Sequence, residues 1–302
     1  MAKRAGRLAG VHVLNLLAPP GRADLTEAAL RDLPSHWAAG PPRWLAAGVA
    51  VEADVARVPD DLWQEWERWQ ERGFDLVVQP AAGRRKRVLL ADMDSTMIQQ
   101  ECIDELAAHA GVGEHVAGIT ARAMNGELDF AEALHARVRL LAGLPASTVD
   151  TVLAERITLT PGGPELVATM RAHGAYAALV SGGFTHFTSA VAARLGFDEH
   201  RANTLAVDGD RLTGEVVEPV VGREAKVAAL QEITARLGLT PQDAIAVGDG
   251  ANDLDMLHLA GTGVALHAKP AVAAQCDARV NHGDLTALLY LQGYAAHEHV
   301  RP

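Results

Sequence analysis

The sequence predicts an α/β protein: a doubly wound parallel sheet, a helical block inserted after that sheet's first strand, and a small α/β module ahead of it. Three observations carry this reading. The apolar runs Val88–Ala91, Tyr176–Val180 and Ala244–Val247 have the length and composition of buried strands. Helical patterns separate the later strands, as βα units of a parallel sheet require. Each of the three runs ends in residues that carry chemistry: Asp92-Met93-Asp94-Ser95-Thr96, Ser181-Gly182-Gly183 and Gly248-Asp249-Gly250-Ala251-Asn252-Asp253. In an open α/β sheet, ligands bind beyond the carboxyl ends of the strands, so these three ends are expected to face one crevice.

The elements follow in order. Lys3, Arg4 and Arg7 precede an apolar stretch, Leu8 to Ala18, in the manner of an export signal. His12 and Asn15 interrupt it, and Pro19-Pro20-Gly21 stands where a small-residue cleavage site would be, so the stretch reads as the first strand of a small module. Val49–Val51 and Leu76–Val78 read as further short strands. Asp61 to Arg72 reads as an amphipathic helix whose stripe of Trp63, Trp66 and Trp69 is expected in a core. All five Trp lie in the first 69 residues and composition changes near Gly83. The expected division is therefore residues 1–83, a regulatory or dimerising module, and residues 84–302, the larger domain. Arg84-Arg85-Lys86-Arg87 is expected to be a solvated linker. Helices are expected over Gln99–Ala110, Glu114–Met124, Phe130–Leu141 and Ser147–Arg156, punctuated by Gly111, Gly126, Gly143 and Pro145. This block, about 97–158, reads as a lid. Later strands are expected at Arg201–Leu205, Gly263–Leu266 and Arg279–Val280. A hairpin is expected around Val207–Gly214, where Asp208-Gly209 supplies the turn.

Composition bounds the function. With 302 residues, 49% of them hydrophobic, the chain can bury a sizeable core. A net charge of −11 argues against a general nucleic-acid binder. Two cysteines, Cys102 and Cys276, make no disulfide framework and suit a reducing, cytoplasmic compartment. No apolar run is long enough to span a membrane, so no membrane partner is expected.

Asp92 and Asp94 sit where a buried strand runs out. Carboxylates so placed either bind a hard cation or attack an electrophile. The alternative is an acidic turn in which Asp94 or Ser95 caps the next helix. The other two strand ends, with Lys226 on a helical segment between them, favour the first reading. Together they supply carboxylates for a metal, and hydroxyl, backbone N–H and ammonium groups for a phosphate.

These residues resemble the haloacid dehalogenase superfamily and, within it, the phosphoserine phosphatase group. The resemblance runs from about Arg87 to the C-terminus. It rests on the three strand ends, Glu101-Cys102-Ile103-Asp104-Glu105, Ala123-Met124 through Phe130, Arg137, Phe184 and Lys226. It implies a HAD-like (Rossmann-like) core with a helical cap. It also implies Mg²⁺-dependent hydrolysis of O-phospho-L-serine to L-serine and phosphate, the last step of serine biosynthesis. Another small phosphomonoester, or transfer of the phosphoryl group to another alcohol, is the near alternative; an amino-acid-sensing or assembly module is the non-enzymatic one. By the same resemblance Asp92 is the nucleophile and Asp94 the general acid and base. Mg²⁺ is held by Asp92, the backbone carbonyl of Asp94, and Asp249, with Asp253 in support, and offsets the repulsion between two carboxylates and a phosphate. Ser181, Gly182, Lys226 and Asn252 hold the phosphate. Glu101 takes the substrate ammonium and Arg137 its carboxylate, while Met124 and Phe130 form an apolar wall. Every candidate catalytic residue lies beyond Gly83, so a fragment starting there is expected to fold and keep its chemistry.

Overall fold

The computed structural model describes residues 12–37, 40–125 and 127–302; the side chain of Met124 also lies outside the description. So do Lys3, Arg4 and Arg7, and with them the signal-like start of the chain.

The first module holds β1 (His12–Leu17), α1 (Glu27–Leu30), β2 (Arg43–Ala46), β3 (Ala50–Val55), α2 (Leu62–Glu71) and β4 (Asp75–Pro80). Its strands form an antiparallel sheet in the order β2-β3-β1-β4. Period-2 alternation divides this sheet into two working faces. Leu14, Leu16, Val51, Val55, Leu76 and Val78 pack with Trp69 of α2 and Trp37. The intervening positions face the other way, and they mix apolar with polar residues. Leu17, Ala50 and Val77 join the core of the larger domain. Asn15 donates to the carbonyl of Tyr290, and Gln79 to that of Leu291. The fully buried Asp75 accepts from the backbone N–H groups of Asn281, His282 and Gly283, at 2.8, 3.2 and 2.7 Å. Such buried carboxylates and amides are tolerated only because each is hydrogen-bonded.

Two expectations change here. The tryptophan stripe is only partly core: Trp69 is buried, but Trp63 is 40% exposed, and Trp63 and Trp66 stack on the Arg279 guanidinium at 3.9 and 4.9 Å. Nor is the basic run a solvated linker. Arg84 pairs with the buried Glu52, Arg85 pairs with Glu298 and lies 4.1 Å over the Tyr294 ring, and Lys86 donates to the carbonyl of Gln242. The linker is stitched to both halves.

The larger domain begins with β5 (Val88–Ala91). The cap follows: α3 (Cys102–His109), α4 (Gly113–Met124), α5 (Phe130–Arg139) and α6 (Thr148–Glu155). The chain then runs α7 (Gly163–Ala172), β6 (Tyr176–Phe184), α8 (Thr185–Leu195), β7 (Glu199–Asp208), β8 (Arg211–Val217), α9 (Arg223–Arg236), β9 (Ala244–Gly248) and α10 (Leu254–Leu259). It closes with β10 (Thr262–Leu266), α11 (Pro270–Ala273), β11 (Ala278–Val280) and α12 (Ala287–Leu291). The seven-stranded sheet has the order β11-β10-β9-β5-β6-β7-β8, parallel except for the antiparallel edge strand β8. Leu89 and Ala91 of β5 pack with α7 and α8, while Val88 and Leu90 pack with α9 and α10. Burial on both faces explains why β5 is continuously apolar. No described helix is long and apolar enough to cross a membrane.

The cap enters and leaves through one pinch. Ile98 pairs antiparallel with Leu159, and the Gln100 side chain bonds the N–H and hydroxyl of Thr158. Its far end rests on the β7–β8 hairpin, where Gly143 N–H bonds the Leu212 carbonyl and Leu212 N–H the Leu144 carbonyl. Gly214, at φ 86°, leaves room for Ala142, whose methyl would lie 2.8 Å from a Cβ there.

Candidate active site

β5 and β9 run in parallel, and the Asp92 N–H continues their ladder by donating to the Val247 carbonyl at 3.0 Å. Beyond it the chain turns sharply. Ser95 takes a left-handed φ of 54° and Ile98 N–H reaches back to the Met93 carbonyl. The turn leaves Asp92 and Asp94 buried beside one cavity. Asp94 Oδ1 lies 3.4 Å from the Cys102 N–H, against the amino end of α3. A helix amino terminus favours negative charge, so the capping alternative holds in part: Asp94 does meet a helix end while facing the cavity.

Lys226 is fully buried on α9. Its Nζ lies 2.7 Å from Asp92 Oδ1 and 2.6 Å from Asp253 Oδ1. The other Asp253 oxygen accepts the Gly250 N–H at 3.0 Å, which ties the lysine to the Asp249 loop. A Cβ at Gly248 would stand 2.3 Å from the Asp253 carboxyl carbon, so this close fold-back requires glycine. Thr96 donates to Asp249 Oδ1 at 3.3 Å.

The charge balance of this pocket is unusual. Asp92, Asp249 and Asp253 each place a carboxylate oxygen within 4.8 Å of the others. Burial, and then the charge of Asp253, raises the Asp92 carboxyl to about 7 despite Lys226. Burial and the neighbouring Glu101 push both Asp94 and Asp249 well above the usual carboxylate range. Asp249 Oδ2 and Asn252 Oδ1 are buried and accept no hydrogen bond from a described residue. Orphaned oxygens within a crowd of carboxylates fit a hard divalent cation, which would satisfy them and draw the carboxyls back toward ionisation. The side chain that joins Asp92 and Asp249 in this cluster is Asp253, already engaged by Lys226 and Gly250; Asp94 points instead to α3.

β6 brings the second strand end alongside. Ser181 Oγ accepts the Gly183 N–H at 2.9 Å, leaving its own proton free to donate. A Cβ on Gly183 would lie 2.7 Å from Asp94 Oδ2, and one on Gly182 would lie 2.5 Å from the Phe130 ring. Glycine at 182 thus admits the cap's aromatic as well as any ligand. Asn203, buried and not anticipated from the sequence, fastens this loop. Its amide donates to the carbonyls of Gly182 and Val221 at 2.8 and 3.1 Å and accepts the Val221 N–H at 2.7 Å. An asparagine within a strand pattern gives no sequence signal of that role, and neither did Thr96.

From the cap, Arg137 is buried and lines the same cavity. Its guanidinium donates to the Ala133 carbonyl and to Thr120 Oγ1, at 3.1 and 3.0 Å, and pairs with no described carboxylate. Burial lowers its pKa, against the attraction of Glu101 and Asp104. Glu101 accepts a 2.7 Å hydrogen bond from Ser95 Oγ, and burial raises its pKa. Asp92, Asp94, Glu101, Phe130, Arg137, Ser181, Gly182 and Asn252 therefore share one cavity, with Lys226 and Asp249 buried behind its floor. Met124 ends α4, and its side chain lies outside the description. The cavity volume is about 30 Å³, room for a water or two.

Residues 89–258 match the family model of the haloacid dehalogenase-like hydrolases. A phosphoserine phosphatase of Streptomyces coelicolor is 48% identical over 229 residues, which cover 75% of this chain and 55% of that protein. One from Archaeoglobus fulgidus is 41% identical, over 78% of this chain and 68% of its own length. The chain thus spans about half of the Streptomyces protein. Among solved structures, a haloacid dehalogenase family hydrolase of Salmonella enterica serovar Typhi superposes with a TM-score of 0.82 at 29% identity, covering 93% of this chain and 98% of that one. By the motif-bearing strand ends and by these likenesses, the chain belongs to the haloacid dehalogenase-like hydrolases and groups among them with the phosphoserine phosphatases.

Proposed function

We propose that this chain hydrolyses O-phospho-L-serine to L-serine and phosphate through a phospho-aspartate on Asp92, with Mg²⁺ as cofactor. The observation that carries the substrate is Arg137: a buried guanidinium without a carboxylate partner, lining the cavity that also holds Asp92 and Asp94. Such a group invites a bidentate carboxylate. Glu101, in the same cavity, offers a carboxylate for the substrate ammonium, and Phe130 an apolar wall over Gly182.

The chemistry follows from the residues. An Asp92 oxygen attacks phosphorus and the bond from phosphorus to the serine oxygen breaks. Asp94, whose pKa is raised by burial and by the neighbouring Glu101, gives its proton to that oxygen. Asp94 then takes a proton from the water that attacks the phosphoryl group, and Asp92 is released. Lys226 holds Asp92 in line while Asp253 holds Lys226. Ser181 Oγ–H and the Gly182 N–H bind the phosphoryl oxygens. Asp92, the Asp94 carbonyl and Asp249 would hold Mg²⁺, with Asp253 beside them. When bound, the ion neutralises phosphate charge. The closed cap excludes bulk water. A cytoplasmic location and a regulatory or dimerising first module go with this reading; Cys102 and Cys276 are buried free thiols that suit a reducing compartment. The test is a turnover panel of phosphorylated amino acids and sugars with and without Mg²⁺. Phosphoserine should lead it by kcat/KM and lose turnover in chelator; a sugar phosphate in first place would refute the assignment.

A further inference from the structure

A fourth strand end borders the site. β10 pairs in parallel with β9, Ala265 opposite Gly248, so the chain beyond Leu266 emerges next to the Asp249 loop. His267 there has a left-handed φ of 45°, a conformation non-glycine residues seldom adopt. It is over-determined by two bonds: its ring Nε2 meets the Gly283 carbonyl at 2.7 Å, and its N–H donates to the Val280 carbonyl at 2.8 Å. Gly283 belongs to the segment that Asp75 clamps. Two residues on, the Lys269 N–H donates to the Asp249 carbonyl at 3.2 Å. This strained, doubly anchored turn therefore sets Lys269, and with it one particular side chain, against the Asp249 loop.

That side chain is half-buried, yet no described residue forms an ion pair with it. Its charge reaches two carboxylates from different parts of the molecule. It partly offsets the burial-driven rise of Asp249 in the core and of Glu101 at the root of the cap. Of the other site cations, Lys226 is held between Asp92 and Asp253, and Arg137, bonded only to the Thr120 hydroxyl and the Ala133 carbonyl, faces the place of the substrate carboxylate.

We propose that Lys269 is the third cation of this site, a positioning residue that acts through Asp249 and Glu101. It adds to the attraction for a dianionic phosphomonoester and limits how tightly the acidic cluster holds a dication. The two effects have opposite signs, because a fixed positive charge attracts one ligand and repels the other. A purely structural lysine would weaken both ligands together when lost.

The inference rests on the Mg²⁺-dependent phosphatase reading, and the experiment separates the two. Mg²⁺ is titrated calorimetrically into the metal-free full chain, as wild type, Lys269→Met and Lys269→Arg, with phosphoserine kinetics on each. Lys269→Met should bind Mg²⁺ roughly three- to tenfold more tightly, while KM for phosphoserine rises by a similar factor and kcat stays within about twofold. Lys269→Arg, which keeps the charge, should match wild type in both. High salt should shrink the differences. Lys269→Gln carries the same comparison if the methionine variant does not fold. Unchanged or weaker Mg²⁺ binding in the neutral variants, with a wild type that binds Mg²⁺ and turns over, overturns the role of Lys269 alone. A wild type that neither binds Mg²⁺ nor hydrolyses phosphoserine overturns the phosphatase reading itself.

Discussion

Arg137 gives the most discriminating prediction. The residue is 5% exposed, and its guanidinium has only neutral hydrogen-bond partners, Thr120 Oγ1 and the Ala133 carbonyl. A substrate carboxylate docked against it would complete a desolvated charge pair. Removing one member of such a pair costs about 2–5 kcal/mol, or roughly 30-fold to several-thousand-fold in kcat/KM. An aryl phosphate has no carboxylate to lose, so Arg137→Met should impair phosphoserine hydrolysis by that factor and p-nitrophenyl phosphate hydrolysis far less. The stability readout should move little. Burying a guanidinium without a carboxylate partner is costly, and its longer-range attraction to Glu101, Asp104 and Asp94 offsets part of that cost. Methionine keeps much of the volume, so the melting temperature should stay within about 3 °C of the parent. The assay is kcat/KM on both substrates, with calorimetric melting as the control for folding. Equal losses on the two substrates would refute the head-group role. A melting temperature lower by ten degrees or so would show that Arg137 is instead a structural strut between α5 and α4.

Four further outcomes follow from the geometry. Asp92→Asn should abolish turnover with the fold intact, and Asp94→Asn should lose on the order of 10²-fold or more; substantial activity in the first variant would exclude the covalent route. The metal-free protein should lose stability as pH rises. Asp92 titrates at about 7 in the fold, against about 4 unfolded, so the native state holds protons that the unfolded chain has already lost. Melting with and without Mg²⁺ from pH 5.5 to 8 should show stabilisation by the ion growing with pH, and a flat profile would contradict the crowded-carboxylate picture. Asp75→Ala would strand the N–H groups of Asn281, His282 and Gly283, and should cost more than about 2 kcal/mol in urea unfolding; a neutral result would mean the clamp contributes nothing. Contrary to the expectation from the sequence, a fragment beginning at Gly83 would expose the face of α12 that β1 and β4 cover, so it should melt well below the full chain or aggregate, which solubility and melting would decide.

Much of this was legible in the chain. Val88–Ala91, Tyr176–Val180 and Ala244–Val247 announced the sheet because strands buried on both faces must be apolar throughout, and the residues after them announced the crevice because parallel strands expose their carboxyl ends together. The cap helices were legible from period and from the glycines between them. The polar positions inside the first module's strands, Asn15, Glu52, Asp75 and Gln79, were printed there too, at the period-2 spacing of a docking face. Read alone they carry no sign of that role, because only the second surface shows what they bond. The same holds for Asn203, Thr96 and Lys269. A sequence fixes which side chains a strand or helix carries and on which face, since those follow from local geometry. Which acceptor a buried amide finds 18 residues away, or which carboxylates a lysine faces across two strand ends, depends on long-range packing, and that is decided only once the chain has closed on itself.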